Sequence, residues 1–432
     1  MRNKLILLFS IFLFSLTITT NGQKLINSPY SRFNLGSLEP SGSFRSLGMG
    51  GLSVSQRDNT SVYFSNPASY SSFDTISFIF DFGMDYTMGK LSDGVSNYSS
   101  NDGNFDHLFI GFPLAKGWGL AAGISPYSNG FYQLTESVLD TDADYDPLIG
   151  EFSSYHAGDG GLTSVFVGSG LNLNKNFSVG INMTLLFGQM NRTNQFDFID
   201  VEDYTHVFHN NTSEKLEISG INFDYGLQYR AKLGDKYFFN AGASLTSGKT
   251  YNTNYERLVY RYTAYSTKDT LSLTGVEGKS AFIPATMRLG ISIGKTNKFT
   301  AGLDYISTNW STAKIPGGTG NAADSRQYIF GLEFIPDKFS NFSLLKRLEY
   351  RIGGHAGDSY LILNGEQVKE IGASAGIGIA LRRTESLSKA NVYFDYTKRS
   401  GSTANGLHSE NYFTVGVSLN LYDWWFMKRK YE

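Results

Sequence analysis

Four acidic residues in one polar stretch have a spacing that could bind calcium. Asp140, Asp142 and Asp144 alternate along the chain, and Glu151 stands where the twelfth position of a calcium-binding loop would be. Hard oxygen ligands at this spacing can surround Ca²⁺. Tyr145 occupies the position that such a loop gives to glycine, so an acidic, solvated loop is the alternative interpretation. No other cofactor is predicted.

The histidines form no motif of a known catalytic or metal site. His206 and His209 lie beside two acidic residues but lack the helical spacing of a zinc protease, and we interpret them as surface residues. His107 and His355 have no evident partner in the sequence. The chain has no Gly-x-Ser-x-Gly elbow, nor a glycine-rich phosphate loop followed by Lys and Ser or Thr. We therefore predict that the protein is not an enzyme.

The amino terminus has the pattern of an export signal. Arg2 and Lys4 precede an apolar run from residue 5 to residue 16, and small and polar residues follow it. This run is too short to span a bilayer, so we predict a signal peptide over residues 1–22. No later stretch has the roughly 18 consecutive apolar residues of a membrane helix, which excludes a helical membrane protein.

The composition of the exported chain favours a sheet that contacts lipid. The sequence has 33 Phe, 27 Tyr and 47 Gly but only 9 Pro, and it contains no Cys. Aromatic and glycine enrichment with strand periodicity is typical of a sheet with one face toward a membrane. The lack of cysteine excludes disulfides and a lipid-anchored amino terminus. A net charge of −2 gives no reason to expect a nucleic-acid partner.

Strict alternation of apolar and polar residues predicts strands with one face of each kind. In residues 412–422, one face carries Phe413, Val415, Val417, Leu419 and Leu421. Residues 177–185 and 287–293 follow the same pattern. The polar faces of residues 221–233 and 287–293 predict five lumen-facing side chains: Asn222, Asp224, Gln228, Arg230 and Arg288.

Alternation alone does not distinguish a sandwich from a barrel, but the spacing of turns and the export signal do. Short polar turns occur near residues 115–117, 174–176, 234–236, 295–297, 337–338 and 384–386. Longer polar connections are predicted at about 89–104, 127–160, 191–217, 248–280, 309–323, 356–367 and 399–410. Short turns alternating with long loops are typical of barrels in the outer membrane of Gram-negative bacteria. We predict an all-β fold, a transmembrane antiparallel β-barrel of about fourteen strands over residues 73–422.

The residues before the first strand predict a compact plug. Residues 23–72 are interrupted by glycines and prolines, including Gly48, Gly50 and Gly51, which disfavour regular elements. The order of a glycine-rich turn, Asp58, an aromatic pair and Asn66-Pro67-Ala68 resembles the FadL-type long-chain fatty acid transporter family. Residues 283–290 resemble that family as well.

This resemblance implies a fourteen-stranded barrel closed by an amino-terminal hatch, through which hydrophobic compounds pass and leave sideways into the membrane. It also implies that Asp58 and the motif Asn66-Pro67-Ala68 belong to the hatch and its junction with the barrel. The expected partners are membrane lipids and a hydrophobic small molecule.

An alternative is a barrel that transports nothing and serves as a subunit or scaffold of a larger outer-membrane assembly, for example in type IX secretion. Residues 423–432 form a basic and aromatic tail that could anchor the barrel at the membrane interface or dock a partner.

Overall fold

Nearly all of the described chain is β-strand. The computed structural model describes residues 28–40, 42–92, 94, 96–143, 145–199, 208–263, 269–318, 321–340, 342–381, 387–401 and 407–424. The predicted signal peptide, most of the predicted tail, Asp144 and His206 lie outside these ranges.

Nineteen strands are found in the described residues, and they form one antiparallel sheet. They are β1 Ser37–Leu38, β2 Ser77–Ser92, β3 Asn97–Ala115, β4 Trp118–Asn129, β5 Tyr132–Val138, β6 Phe152–Asn172, β7 Phe177–Phe198, β8 His209–Leu233, β9 Tyr237–Thr246, β10 Lys249–Tyr262, β11 Asp269–Ile283, β12 Thr286–Lys295, β13 Phe299–Thr308, β14 Asn321–Ala322, β15 Ser325–Phe334, β16 Glu349–Leu363, β17 Glu366–Ala380, β18 Lys389–Ser400 and β19 Ser409–Trp424.

The sheet closes into a barrel of fourteen strands, as predicted. The last strand, β19, pairs with β2, the first strand of the barrel wall. Four barrel strands contain a break and are each built from two elements, namely β4 with β5, β9 with β10, β11 with β12, and β14 with β15. Closure removes strand edges with unpaired N–H and C=O groups, which lipid cannot hydrogen-bond.

The described helices are all short. They are the 3₁₀ helices Pro29–Arg32, Pro67–Ser72 and Trp310–Thr312, and the α-helices α1 Phe44–Leu47 and α2 Leu344–Arg347. In the described part of the chain, no helix is long and apolar enough to cross a membrane.

The two ends of the barrel differ as the turn spacing predicts. One end, here called the turn end, carries connections at residues 116–117, 173–176, 234–236 and 296–298. The predicted turn near residues 337–338 lies within a longer connection, residues 335–348. The predicted turn at 384–386 lies outside the described residues. The opposite end is here called the loop end.

The strands extend farther toward the loop end than predicted. Residues 89–104 were expected to be a loop, but β2 continues to Ser92 and β3 begins at Asn97. Only Asn364 and Gly365 separate β16 from β17. The wall begins at Ser77 and ends at Trp424, against the predicted limits of 73 and 422. Backbone pairing does not require an apolar face, so strands continue beyond the apolar band with polar side chains.

Candidate functional site

The lumen of the barrel is filled by residues 28–40 and 42–73, here called the hatch. Its large side chains are almost completely buried, as shown by Tyr30, Leu35, Phe44, Leu52 and Tyr70, each at most 2% exposed. The hatch contacts inward-facing residues of nearly every wall strand.

The second half of the hatch lies on a track of glycines on the inner face of the wall. A Cβ atom added to Gly331 would come within 2.6 Å of the carbonyl oxygen of Met49, and one added to Gly302 within 3.0 Å of Leu52. Only glycine lets two backbones approach this closely. The glycine track comprises Gly119, Gly170, Gly180, Gly226, Gly242, Gly290, Gly302, Gly331, Gly353 and Gly376.

The glycine track shows that the hatch follows the wall around the lumen. Met49 lies against β15 and β16, Val54 against β9, and Pro67 against β6 and β7. Tyr70 lies against Gly119 on β4. The plug is therefore seated against the wall by backbone contacts.

The junction motif ties the hatch to two wall strands. Asn66 is fully buried, and its side-chain oxygen accepts a hydrogen bond from the amide of Ala68, capping the helix Pro67–Ser72. The Asn66 amide group donates to the carbonyl of Val54 at 2.8 Å and to that of Leu227 on β8 at 3.2 Å. Pro67 takes the first helical position, where its missing N–H costs nothing.

Asp58 is held inside the hatch by an ion pair with the buried Arg45. Its Oδ2 lies 3.0 Å from Nη1 of Arg45, and its Oδ1 accepts a hydrogen bond from the amide of Thr60 at 2.7 Å. Burial alone would raise the pKa of Asp58, but the Arg45 guanidinium, followed by the Lys389 ammonium, holds it well below its usual range. Asp58 thus carries a full negative charge inside the lumen.

The wall supplies the other members of this charge network. Arg351 is completely buried, and its Nε donates to Glu333 at 2.8 Å while its Nη2 bonds Glu349. Lys389 lies 2.6 Å from the second oxygen of Glu349. With Arg45 and Asp58, three cations face three carboxylates, which is the condition under which buried charges are tolerated.

Of the five residues predicted to face the lumen, Gln228 contacts the hatch directly. Its amide nitrogen donates to the carbonyls of Val54 at 3.1 Å and Gln56 at 2.9 Å. Arg230 lies nearer the turn end, with its guanidinium 4.7 Å from the ring centre of Phe238.

Three other predicted residues form a polar group on β8 and β12. Asp224 accepts hydrogen bonds from Thr184 at 2.8 Å and Thr246 at 2.5 Å, and Thr246 also accepts one from Arg288 at 2.8 Å. Asn222 donates to the carbonyl of Ser247 at 2.8 Å. Their outward-facing neighbours are apolar and exposed, namely Ile221, Phe223, Tyr225, Leu227, Met287 and Leu289.

Toward the loop end the lumen becomes apolar. A cluster of inward-facing wall residues, here called the lumenal cluster, surrounds Tyr30 and Leu35 of the hatch. Trp310, from the connection between β13 and β14, belongs to it and packs against Tyr360, with ring centres 4.8 Å apart. The buried members are Tyr30, Leu35, Leu162, Leu186, Leu216, Ile218, Tyr251, Tyr255, Ala281, Ile283, Trp310, Tyr360, Leu361, Val368 and Leu407.

Polar contacts fix the first part of the hatch inside this cluster. The Tyr30 hydroxyl donates to the carbonyl of His408 at 2.5 Å, and the Tyr360 hydroxyl donates to that of Gly36. Ser28 donates to Glu410 at 2.7 Å. The hatch therefore occupies the apolar space with its own side chains.

The wall has a break beside this part of the hatch. The ladder between β3 and β4 ends at Leu108 and Ile124, and β5 is paired with β6 alone among the described strands. The hatch strand β1 pairs with the end of β4, Ser37 opposite Asn129 and Leu38 opposite Ser128. The hatch thus covers the one side of β4 that the wall leaves open.

The histidines have partners that the sequence did not reveal. His107 is buried and lies 2.5 Å from Asp106 and 3.4 Å from Asp81. His209 was expected at the surface, but it is 8% exposed and lies 3.2 Å from Asp197. Asp106 directly precedes His107 in the sequence, whereas Asp81 and Asp197 lie on neighbouring strands, so spacing along the chain conceals those two.

His355 also has partners, on β17 and β18, the next two strands of the wall. Its Nε2 lies 3.6 Å from Glu370 and 3.2 Å from the Thr397 hydroxyl. The expectation that His107 and His355 lack partners was therefore wrong.

The acidic loop uses its carboxylates to stabilise its own backbone. Glu151 accepts a hydrogen bond from the amide of Asp140 at 3.0 Å, and Asp142 accepts one from Leu139 at 2.8 Å. Within the described residues, no three candidate ligands form a metal-binding group. Because Asp144 lies outside those residues, calcium binding stays a prediction.

Sequence reasoning missed the glycine track and the charge network. The track had a signal, since Gly180 and Gly290 occupy polar faces of predicted strands. The charge network had none, because Arg45 and Glu333 are 288 residues apart in sequence.

Comparisons with known proteins agree with this architecture. A family model described as BamG matches residues 1–432. Among solved structures, the CymD monoaromatic hydrocarbon channel is 16% identical with a TM-score of 0.57, covering 92% of this chain and 100% of CymD. The toluene transporter TodX of Pseudomonas putida is 16% identical with a TM-score of 0.55, covering 90% and 99%. A FadL homologue of Pseudomonas aeruginosa is 11% identical with a TM-score of 0.54, covering 89% and 99%.

No curated protein sequence matches the chain. At these identities the structural matches establish the fold, and the predicted resemblance to FadL-type barrels is confirmed at that level.

Proposed function

Because the chain belongs to the BamG family and has the fold of FadL-type barrels, we propose that it is an outer-membrane barrel for passive uptake of hydrophobic compounds. The observation that carries this proposal is the lumenal cluster, an apolar region of the lumen in which Tyr30 and Leu35 of the hatch are packed among wall side chains. A compound entering it gains about 0.8 kcal/mol per buried methylene and needs no energy source.

The substrate class is apolar and of modest size. The related structures are described as channels or transporters for monoaromatic hydrocarbons and toluene. The aromatic lining of the lumenal cluster, with Tyr251, Tyr255 and Trp310, suits such compounds and also an acyl chain. We propose no catalytic role.

The route is lateral. Straight passage to the turn end is opposed by the glycine track and by the buried charges around Arg45 and Asp58. The break between β3 and β5 is covered by β1, so displacement of two strand residues of the hatch would open it. An apolar compound released there enters the bilayer directly.

A reversible lock on β1 tests the route. The chain has no cysteine, so the double variant Ser37→Cys and Asn129→Cys introduces one pair on facing strand positions. Uptake of radiolabelled toluene and of a long-chain fatty acid is measured in cells making the variant. Oxidation should stop uptake and reduction should restore it.

The matched control is the pair Ser137→Cys and Ser153→Cys, which joins β5 to β6 and leaves the hatch free. Its uptake should not respond to oxidation. If cells with and without the unmodified protein take up both compounds equally, the transport proposal is wrong.

A second candidate function is favoured by the same tight seating. Three buried cations, paired with two buried carboxylates and the partly exposed Asp58, suit a permanently closed barrel together with the backbone contacts along the glycine track. Such a barrel would serve as a subunit of a larger outer-membrane assembly. Extraction of a tagged chain in mild detergent, followed by native gels and mass spectrometry, distinguishes the two functions. Stoichiometric protein partners and no apolar ligand would favour the assembly.

A further inference from the structure

The connection between β15 and β16, residues 335–348, differs from the other described connections at the turn end. It folds on itself, with the amide of Asp337 donating to the carbonyl of Lys346 at 2.7 Å and Arg347 donating to that of Ser340 at 3.0 Å. Ile335 and Leu348 are buried at its two ends and fix it to the wall. It is a folded projection with its own internal bonds.

This projection presents apolar side chains to its surroundings. Phe342 is fully exposed and Phe339 is 72% exposed. Leu344 and Leu345 on helix α2 are also exposed. Four large apolar side chains on one short connection exceed the scattered exposure that a water-facing turn shows, so they indicate a contact surface.

The position of the projection indicates what covers it. The Tyr350 hydroxyl donates to the carbonyl of Leu345 at 3.0 Å. Tyr350 lies opposite Phe334, and both alternate with inward-facing Glu349, Arg351 and Glu333, so they belong to the outer face of the wall. Helix α2 is therefore attached beside the lipid-facing surface and not beneath the lumen.

The charges of the projection agree with this position. Lys346 is exposed, and Lys338 and Arg347 are half-exposed, while Asp337 is the single described acidic residue between 335 and 348. Cations next to aromatic and aliphatic side chains are the arrangement by which proteins bind the interface of an anionic bilayer. The Lys298 ammonium, 5.7 Å from the Phe334 ring, continues the same arrangement on the neighbouring turn.

We propose that residues 335–348 form an interfacial anchor that inserts Phe339, Phe342, Leu344 and Leu345 into the bilayer leaflet at the turn end. Lys346 and Arg347 contact the phosphates of anionic phospholipids, whereas Lys338 donates to Asn297 at 3.0 Å and is not included. In the proposed outer-membrane placement this is the periplasmic leaflet. The anchor fixes the tilt and depth of the barrel on the side of β15 and β16, independently of whether the barrel transports anything.

Spin labelling of the full chain tests the anchor, since the chain has no native cysteine. The variant Phe342→Cys is labelled and reconstituted in vesicles of phosphatidylcholine and phosphatidylglycerol. Collision of the label with oxygen and with a water-soluble nickel chelate is then compared. A label in lipid should collide more with oxygen than with the chelate.

Two reference variants calibrate the result. Ile352→Cys lies on the lipid-facing side of β16 and Leu148→Cys lies on a fully exposed loop-end position. The Phe342 label should resemble the Ile352 label. A label that resembles Leu148, or one shielded from both reagents by a protein partner, would overturn the proposal.

The basic residues have a separate test. In vesicles with phosphatidylglycerol, the combined variant Lys346→Gln and Arg347→Gln should move the Phe342 label toward water. In vesicles of phosphatidylcholine alone the same changes should have little effect. An equal shift in both vesicle types would show that these basic residues do not act through the phosphates of anionic lipids.

Discussion

Arg45 of the hatch and Glu333 of β15 form a two-pronged ion pair inside the barrel. Nε of Arg45 lies 3.1 Å from Oε2 of Glu333, and Nη2 lies 2.8 Å from Oε1. The planar guanidinium matches the carboxylate with two parallel hydrogen bonds, which lysine cannot do. A single residue of the hatch is thereby connected to the wall and, through Asp58, to the rest of the plug.

The variant Arg45→Gln should loosen the hatch. Glu333 and Asp58 would lose their shared cation in a buried site, which typically costs about 3–5 kcal/mol. The protease sensitivity of the hatch measures this loss locally. The unfolding transition of the barrel, monitored by its gel shift, measures the loss of overall stability. The control Arg261→Gln breaks an exposed pair with Asp269 and should cost at most about 1 kcal/mol. Equal losses in the two variants would contradict a special role for Arg45.

The variant Gly331→Ala should destabilise the protein although it adds only one methyl group. The added methyl group would lie 2.6 Å from the Met49 carbonyl, and overpacking of this kind costs about 1–3 kcal/mol. Gly275→Ala is the matched control, because its methyl group would meet nothing within 4 Å. Unfolding midpoints of both variants measure the difference, and a neutral Gly331→Ala would show that the hatch can shift away from the wall.

Two substitutions at Asn66, one to Ala and one to the similarly shaped Asp, should destabilise the hatch by different amounts. Asn66→Ala removes bonds to Val54 and Leu227 and should cost about 1–3 kcal/mol. Asn66→Asp keeps the cap but directs a carboxylate at two carbonyl oxygens, so it should be the more damaging change. Limited proteolysis of the hatch ranks the variants. If Asn66→Asp is the milder change, the donor role of the side chain is wrong.

Contact of β1 with β4 should weaken as the pH rises. Burial, followed by the nearby carboxylates of Asp106 and Asp102, raises the pKa of Glu39 from 4.5 to about 7, although Arg399 opposes this. A carboxyl group with a raised pKa in the folded state stabilises it fully below pH 4.5, and this contribution is lost as the pH rises through about 7.

Hydrogen exchange of the Glu39 amide, which donates to the carbonyl of Tyr127 at 3.0 Å, measures this effect. After correction for intrinsic exchange, protection should fall between pH 5 and pH 8. In Glu39→Gln it should stay constant over that range. A fall of equal size in both proteins would assign the pH dependence to other groups.

The number and order of the barrel strands could be read from the sequence because both follow from local patterns. Alternation gives each strand two faces, and turns such as 234–236 interrupt it at regular intervals. The loop-end boundaries were less predictable. Residues 89–104 carry many polar side chains but still pair, because backbone bonding between β2 and β3 continues where the apolar face ends.

The interior was less predictable because it depends on long-range pairs. Nothing near Arg45 in the sequence indicates Glu333 as its partner, and nothing near Lys389 indicates Glu349. The inward direction of Gln228 followed from alternation, but its bonds to Val54 and Gln56 require knowledge of where the hatch lies. Local periodicity therefore assigns faces, whereas partners across the lumen require the folded chain.

The glycine track also constrains the order in which the molecule is made. Hatch backbone and wall backbone are too close at Gly331 and Gly353 for either to slide past the other's side chains. A finished cylinder could not be threaded by the hatch afterwards. The amino-terminal residues, although synthesised first, must already lie inside an open, curving sheet before β19 pairs with β2 and the wall closes around them. Wall closure and hatch seating are thus one step in the assembly of this protein.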